Sequence, residues 1–463
     1  MSASTGYDVV IEGGTLVSGD GQTAATLAVA GGRIAAVLDP ETPVEASARI
    51  DASGKHVLPG AIDTHMHWGY KGDFSDQCRL DSGSAAIGGI TTAHVMHRFQ
   101  PGQFHELKAL ALENAIIDFM LTPTVFNDET AAFIEEAVEE WGCPSWKFYL
   151  SYRDRPDAPE GDDWNGLTDG LLVDSFERLS DYDGTLALAH AENAEICNRA
   201  IAKVRATGRD DLVAWEDGHP GVSEAEAVMR AGLFAEYAGV PLLVVHMSGR
   251  DSLLGLERAK SFWPKTYGET CPHYLFHTAS HSDRAVKFSP PVRKAEDVEA
   301  MWEALGSGLL DVVGADNAST MLAAKEGSIW EIPRGGPGSG LILPLILSEG
   351  VNRGRLSLER AVEVTSSNAA RIFGLYPRKG ALQVGSDADL SVVDLGLTKT
   401  VSHELLKTWS DHSLYAGAEL TGWPLLTMLR GQVVAQDFEV RVDPGFGNFV
   451  HRTGVRRAAA SPS

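Results

Sequence analysis

The chain has 463 residues, 44% of them hydrophobic and 22% charged, which is the composition of a soluble globular protein and excludes a disordered or fibrous one. Its 39 Lys and Arg residues face 63 Asp and Glu, and the resulting formal charge of −24 disfavours unassisted binding to nucleic acid or to an anionic membrane. The length accommodates three ordinary domains, or a closed α/β barrel of about 250 residues with one satellite.

MSASTGYDVV at the N-terminus has no basic segment followed by an apolar run, and the longest apolar stretch, near Leu341–Leu347, is too short to span a bilayer. A cytoplasmic location is expected. Cys78, Cys143, Cys197 and Cys271 are scattered without CxxC spacing and are expected as buried free thiols.

From Tyr7 to Val57 short β-type segments, DVVIEGGTLV, ATLAVAGGRIAAVL and ARIDASGKHVL, alternate with Gly pairs suited to tight hairpins. From Pro59 to about Gly380 the texture changes to apolar runs, each followed by a helical stretch. Eight such runs occur: HVLPGAID, ITTAHVM, DFMLT, SWKFYL, TLALAH, PLLVVHM, KTYGETC and DVVGAD. ELKALALENAI, AAFIEEAVEEW, SEAEAVMRAGLFAEYA and AEDVEAMWEAL carry apolar residues at helical spacing between them. Eight βα units predict a closed barrel. The rival, an open doubly wound sheet, lacks a Gly-rich fingerprint after the first strand.

Strand texture returns in DADLSVVDL, LLTMLRGQVVA and FEVRV, and RRAAASPS reads as a loose tail. Two small sets of strands at opposite chain ends cannot each bury a core, so they are expected to form one small β-sandwich. The predicted division is 1–57 and 381–450 for the sandwich, 58–380 for the barrel and 451–463 for the tail.

Chemistry-bearing residues collect at the ends of the predicted strands. In Asp63-Thr-His65-Met-His67 the two imidazoles lie two residues apart and point to one side of an extended segment, a spacing that suits two ligands of one metal. His190 ends the fifth strand, His246 lies at the end of the sixth, and Asp316 ends the eighth. These are C-terminal ends, where barrel enzymes carry their chemistry. Lys147 lies inside SWKFYL, where a buried ammonium costs several kcal/mol unless compensated. Three solutions are open: a neutral lysine, a carbamate formed with CO2, or a side chain that reaches the barrel rim.

PGAIDTHMHWG, LDSGSAAIGGITT, WKFYLSY, AHAEN, VVHMSG, ETCPHYL, KFSPPVRK, RLSLERAVEV, IFGLYPRKGALQVGSDADL and PGFGNFV together resemble the cyclic amidohydrolases. These are the hydantoinases, allantoinases and dihydropyrimidinases of the amidohydrolase superfamily. The resemblance implies an α/β fold, a (β/α)8 TIM-like barrel with a small β-sandwich from both chain ends. It also implies a binuclear centre on His65, His67, Lys147, His190, His246 and Asp316, with Lys147 carboxylated and bridging both ions. Zinc suits imidazole and carboxylate ligands, although manganese, cobalt or iron could occupy the same set. A hydroxide shared by the two ions would attack the carbonyl of a hydantoin, allantoin or related cyclic ureide or imide. Asp316 would act as general base and then acid, Tyr152 as a donor to the carbonyl oxygen, and Ser289 as a hydrogen-bond partner of the substrate ring. A homo-oligomer, dimer or tetramer, is implied as well, with a small-molecule substrate as its other partner.

Two departures bear on the substrate. The family usually reads Asp-His after the eighth strand, and this chain reads Asp316-Asn317. In IPRGGPGSGLIL, Arg334 stands where many relatives have asparagine. Turned inward, its guanidinium could pair with a carboxylate or polarised carbonyl of the substrate; turned outward, it is a solvated loop residue. Arg153–Gly166, RDRPDAPEGDDWNG, is either a lid or a surface loop. The alternative activities are a related enzyme acting on dihydroorotate or an acyclic amide, and a non-catalytic relative, which would be expected to have lost ligand positions that are all present here.

Overall fold

Strands buried on both faces are written as apolar runs, and each of the eight predicted runs contains residues of a parallel barrel strand in the computed structural model, which describes residues 6–96, 102–154, 166–281 and 283–457. They are Ala61–His67, Ile90–Met96, Asp118–Thr122, Ser145–Tyr149, Leu186–His190, Leu242–Val244, Thr266–Thr270 and an eighth in two pieces, Val312–Val313 and Asn317–Ala318. Successive strands pair in parallel. A bridge between Thr124 and Lys147 joins the third to the fourth, and Asn317 opposite Met66 returns the eighth to the first. The ring is closed, with helices such as Gly221–Ala238 and Arg250–Phe262 as crossovers. The fold is a (β/α)8 TIM-like barrel with a β-sheet domain, and the open-sheet alternative is removed.

Both chain ends build that sheet domain. One sheet has four strands, Arg33–Leu38, Thr26–Ala30, Tyr7–Glu12 and Ala46–Asp51. The other has seven: Thr15–Ser18, Gly21–Ala24 and His56–Pro59 from the beginning, and Leu390–Thr400, Glu419–Leu429, Gln432–Gln436 and Glu439–Val440 from the end. Ile11, Leu27, Val29 and Ile34 pack with Val57, Leu390, Val392 and Met428 between them.

Three sequence expectations are corrected. HVLPGAID is two strands: His56–Pro59 pairs with Leu390–Val393 in the sandwich, and the barrel strand begins at Ala61. Gly60 is the joint, where a Cβ would lie 2.2 Å from Thr91 Oγ1. AAFIEEAVEEW is broken into short helical pieces ending in a π-type turn at Ala137–Trp141, which Gly142 closes at φ 77°. The tail expected from residue 451 is packed as far as Arg457. Arg452 is buried and donates to Ser145 Oγ at 2.8 Å, and Val455–Arg456 pairs with Tyr182–Asp183. Residues 458–463, and 155–165 of the segment weighed as a lid, lie outside the described residues. All four cysteines are buried and free. Among the described residues no helix is long and apolar enough to cross a membrane.

Candidate metal centre and adjoining cavity

Alternation along Ala61–His67 turns Asp63, His65 and His67 to one side of the first barrel strand. His190 ends the fifth strand, and His246 follows the sixth. Asp316 sits between the two pieces of the eighth. His246 at φ 43°, Asp316 at φ 46° and Tyr152 at φ 72° all hold left-handed backbone, which side-chain-bearing residues adopt at a cost and which clusters at functional sites. The His65 ring lies 5.0 Å from His67 and 5.2 Å from His246, and His246 lies 4.4 Å from His190, so four imidazoles form one continuous group. Ligand atoms of His65, His67 and Asp316 all fall within 4.8 Å of one another. Asp316 Oδ1 is 3.3 Å from Nε2 of both His65 and His67.

Burial pushes the His65 and His246 imidazoles well below their ordinary range, and it lowers His190 too, against the pull of Glu192. Burial thus favours the neutral imidazole, the form that binds metals. Lys147 is fully buried, and its Nζ has no hydrogen-bond partner. Burial lowers its ammonium to about 8, while the carboxylates of Asp316 and Glu269 pull the other way. A buried amine without an acceptor is a costly arrangement. Neutral imidazoles, a carboxylate and an orphaned amine on one side of the barrel mouth form a nitrogen and oxygen donor set that fits divalent cations. His246 Nδ1, also buried and unpartnered, adds to that fit.

Acids whose part sequence reasoning missed hold these candidate ligands. Glu269 Oε1 takes His65 Nδ1 at 2.9 Å and the His246 backbone N–H at 3.1 Å, while Oε2 accepts from Thr64 Oγ1 at 2.5 Å. Burial raises its carboxyl to about 8. Asp63 Oδ1 accepts from the backbone N–H groups of His65 at 3.0 Å and Ala315 at 2.9 Å, stitching the first strand to the eighth. Glu192 Oε2 takes His190 Nε2 at 2.7 Å and Ser289 Oγ at 3.2 Å. The available signals were an acid inside KTYGETC and another two residues after His190. Asn317 serves as a two-way clip. Its Nδ2 donates to Asp81 Oδ2 at 3.0 Å and its Oδ1 accepts from Gly338 N at 2.9 Å, so the amide ties the eighth strand to the Gly-rich loop.

Beside the histidines lies a cavity lined by Ser151, Tyr152, Glu192, His219, Ser289 and Arg334, among others. Tyr152 is 5.1 Å from the His190 ring, and burial pushes its phenol up to about 12, against the pull of Arg334, so it keeps its proton. Arg334 is turned inward. Its guanidinium lies 4.9 Å from the Tyr152 ring and 5.2 Å from that of Trp215. A larger cleft bordered by Glu216, Asp251, Arg293 and Asp297 has none of the predicted ligands in its lining.

The model of the family described as "Amidohydrolase family" matches residues 56–434. An L-hydantoinase of Paenarthrobacter aurescens is 36% identical over 96% of this chain and 98% of its own length. A D-hydantoinase of Ralstonia pickettii is 30% identical over 96% and 99%. The solved structure of an L-hydantoinase (dihydropyrimidinase) from Arthrobacter aurescens superposes with a TM-score of 0.90 at 36% identity, covering 96% of this chain and 100% of that one. With the barrel, the histidine group and these matches in hand, the chain belongs to the amidohydrolase family, among the cyclic amidohydrolases that include the hydantoinases and dihydropyrimidinases.

Proposed function

We propose that this enzyme opens a cyclic amide, a hydantoin, allantoin or related ureide or imide, by hydrolysing a ring C–N bond at a centre of two divalent ions. One observation carries the reading: Lys147, fully buried beside the histidine group, has an amine with no hydrogen-bond partner, only the Tyr149 ring 5.0 Å away. Carboxylation resolves that burial. The neutral amine nitrogen attacks the carbon of CO2, an N–C bond forms, one proton leaves to water, and the side chain becomes a carbamate anion with two ligand oxygens. His65, His67, His190, His246, Asp316 and that carbamate would hold the ions, which when bound supply Lewis acidity and an ionised water near neutral pH. Zinc suits this donor set best.

The remaining chemistry falls to the chain's own groups. The Asp316 carboxylate takes the proton of the attacking water and returns it to the ring nitrogen as the C–N bond breaks. The Tyr152 phenol, which burial keeps protonated, donates to the carbonyl oxygen as negative charge develops there. Ser289 holds the substrate ring, its hydroxyl oriented by Glu192, and Arg334 lines the same cavity. A homo-oligomer belongs to the same proposal, supported by family resemblance, and a monomer mass from light scattering would remove it.

Metal analysis and a substrate panel test the reading together. Protein loaded with zinc, manganese or cobalt is offered hydantoins, dihydropyrimidines, allantoin, dihydroorotate and an acyclic amide. Ring opening of a neutral cyclic ureide, lost on chelation and restored by metal, is expected. Metal-loaded protein that cleaves the acyclic amide and opens no ring overturns it.

A further inference from the structure

The barrel is a ring of two arcs. Asp118–Thr122, Ile90–Met96, Ala61–His67 and Asn317–Ala318 form one sheet, and the strands from Ser145–Tyr149 through Val312–Val313 form another. The seams between the arcs fall at candidate ligands: Asp316 lies in the break of the eighth strand, and Lys147 lies where the third strand meets the fourth. The histidines are divided in the same way, with His65 and His67 on the first arc and His190 on the second. At the Lys147 seam the joint is that residue's own backbone, whose N–H donates to Pro123 O at 2.9 Å and whose carbonyl accepts from Val125 N at 3.0 Å. A carbamate on Lys147 would have to meet ions held from both arcs, so the fit of this seam sets where its oxygens fall.

A segment from the far end of the chain fills the rest of that seam. The Phe119 N–H donates to Asn448 O at 3.0 Å and the Phe119 carbonyl accepts from Val450 N at 2.8 Å, so residues 448–450 run along the third strand. Val450 packs in one apolar cluster with Met120, Leu186 and Leu243 of the third, fifth and sixth strands. Two residues on, the segment reaches the fourth strand. The Arg452 backbone N–H donates to Gly142 O at 3.2 Å, and its guanidinium donates to Ser145 Oγ at 2.8 Å and to Phe373 O at 3.3 Å. Ser145 and Lys147, two residues apart, share one side of that strand. Arg452 is 8% exposed, its Nε has no hydrogen-bond partner, and burial lowers the guanidinium to about 10. Burying a cation against a hydroxyl and a carbonyl is costly, and what the arrangement secures is the strand that carries Lys147.

We propose that Arg452 is a positioning residue for Lys147: residues 448–452 staple the third strand to the fourth, and the staple holds the lysine where its carbamate can bridge ions held from both arcs. The inference rests on the carboxylated-lysine centre proposed above, in which the amine nitrogen forms an N–C bond with CO2 and one proton leaves to water.

The test incubates metal-depleted full-length protein with zinc and increasing bicarbonate, the source of CO2, and measures the zinc retained. Isotopically labelled bicarbonate reports the carbamate by carbon NMR. The readout is the bicarbonate concentration at half-loading, which a lower yield of folded protein leaves unchanged. Arg452→Met should need about tenfold more bicarbonate than the parent, the scale of a lost hydrogen bond from a charged donor. Arg452→Lys, which keeps a charged donor, should recover part of that shift. Ile34→Ala, in the sandwich core, destabilises the protein away from the seam and should keep the parental requirement. Ser145→Ala removes the same contact from the strand side, should shift the requirement in the same direction, and replaces Arg452→Met if that variant does not fold. A parental requirement in Arg452→Met, or in Ser145→Ala where it stands in, overturns the positioning role, and so does an equal shift in Ile34→Ala. Parent protein that takes up zinc without bicarbonate and shows no carbamate signal overturns the carboxylated bridge, and the inference falls with it. A carbamate that forms as expected in protein that opens no cyclic amide counts against the hydrolase reading alone and leaves the positioning role standing.

Discussion

At the scale of single residues, the centre depends on groups whose burial makes sense only together. Lys147→Ala removes the orphaned amine, so activity should vanish and metal content should fall, with partial rescue by a small carboxylic acid that replaces the carbamate oxygens. A fully active, metal-loaded variant would falsify the bridge. Asp316→Asn keeps an oxygen near the histidines but cannot take a proton, so kcat should fall by about a hundredfold or more while KM changes little. Near-normal turnover would assign the proton to another group. Glu269→Gln keeps the shape of the carboxylate yet weakens its hold on His65 Nδ1 and the His246 N–H, and metal affinity should drop by about 10–100-fold as judged by competition with a chelator. The proposed ligands were legible in the sequence because each interrupts or ends an apolar strand, where a polar residue has few bland explanations. Glu269 was not, because its partners Thr64 and His65 lie 205 and 204 residues away and only the closed barrel brings them to it.

At the scale of elements, apolar runs and helical spacing identified all eight barrel strands, since a strand covered on both faces leaves little room for polar residues. Boundaries were harder to read. HVLPGAID looks like one strand because apolar residues run through Gly60, and periodicity carries no record of a chain leaving one sheet for another. The structure shows the reason for the glycine: a Cβ at residue 60 would meet Thr91 Oγ1 at 2.2 Å and Cγ2 at 2.4 Å. Gly60→Ala should therefore cost about 1–3 kcal/mol, the usual penalty of overpacking. It should also lower metal occupancy, because the strand that starts at Ala61 carries His65 and His67. Thr91→Ala should recover part of the loss, and a thermal-unfolding double-mutant cycle measures that coupling. Strict additivity of the two substitutions would place the strain elsewhere. The end of the chain was misread for a related reason. A short basic segment reads as solvent-facing, whereas the burial of Arg452 depends on Ser145 and Phe373, which the local sequence cannot display.

At the scale of the whole molecule, barrel and sandwich meet through a buried ionic knot. Lys379 Nζ lies 2.8 Å from Asp118 Oδ2 at the start of the third barrel strand and 2.6 Å from Asp389 Oδ2 beside the sandwich strand Leu390–Thr400. Arg430 pairs with Asp118 from the sandwich side, and its backbone N–H donates to Asp389 Oδ1 at 2.8 Å. Against burial, which favours the neutral form of each, Asp389 and Asp118 hold the Lys379 ammonium above its ordinary range, and Lys379 and Arg430 hold Asp118 below its own. The sign follows for each group. The Lys379 contribution is complete below its unfolded value of 10.5 and is lost as pH rises through the higher folded value, whereas the Asp118 contribution is present above 3.8 and lost as pH falls through the lower folded one. Asp389, which burial raises on balance, acts in the opposite sense to Asp118. Lys379→Met leaves two buried carboxylates without the cation between them, and removing one partner of such a network costs about 3–5 kcal/mol. Without the lysine, protonating a carboxylate relieves the fault, so the gap in melting temperature between parent and variant should narrow as pH is lowered from neutral towards 5. Because the knot ties the C-terminal strands of the sandwich to the barrel, the parent should melt in one transition by both far-ultraviolet circular dichroism and tryptophan fluorescence. The variant should show the sandwich loosening before the barrel. A variant that still melts in one step, with a pH-independent gap, would mean that apolar packing between the two units, and not these charges, makes them unfold together.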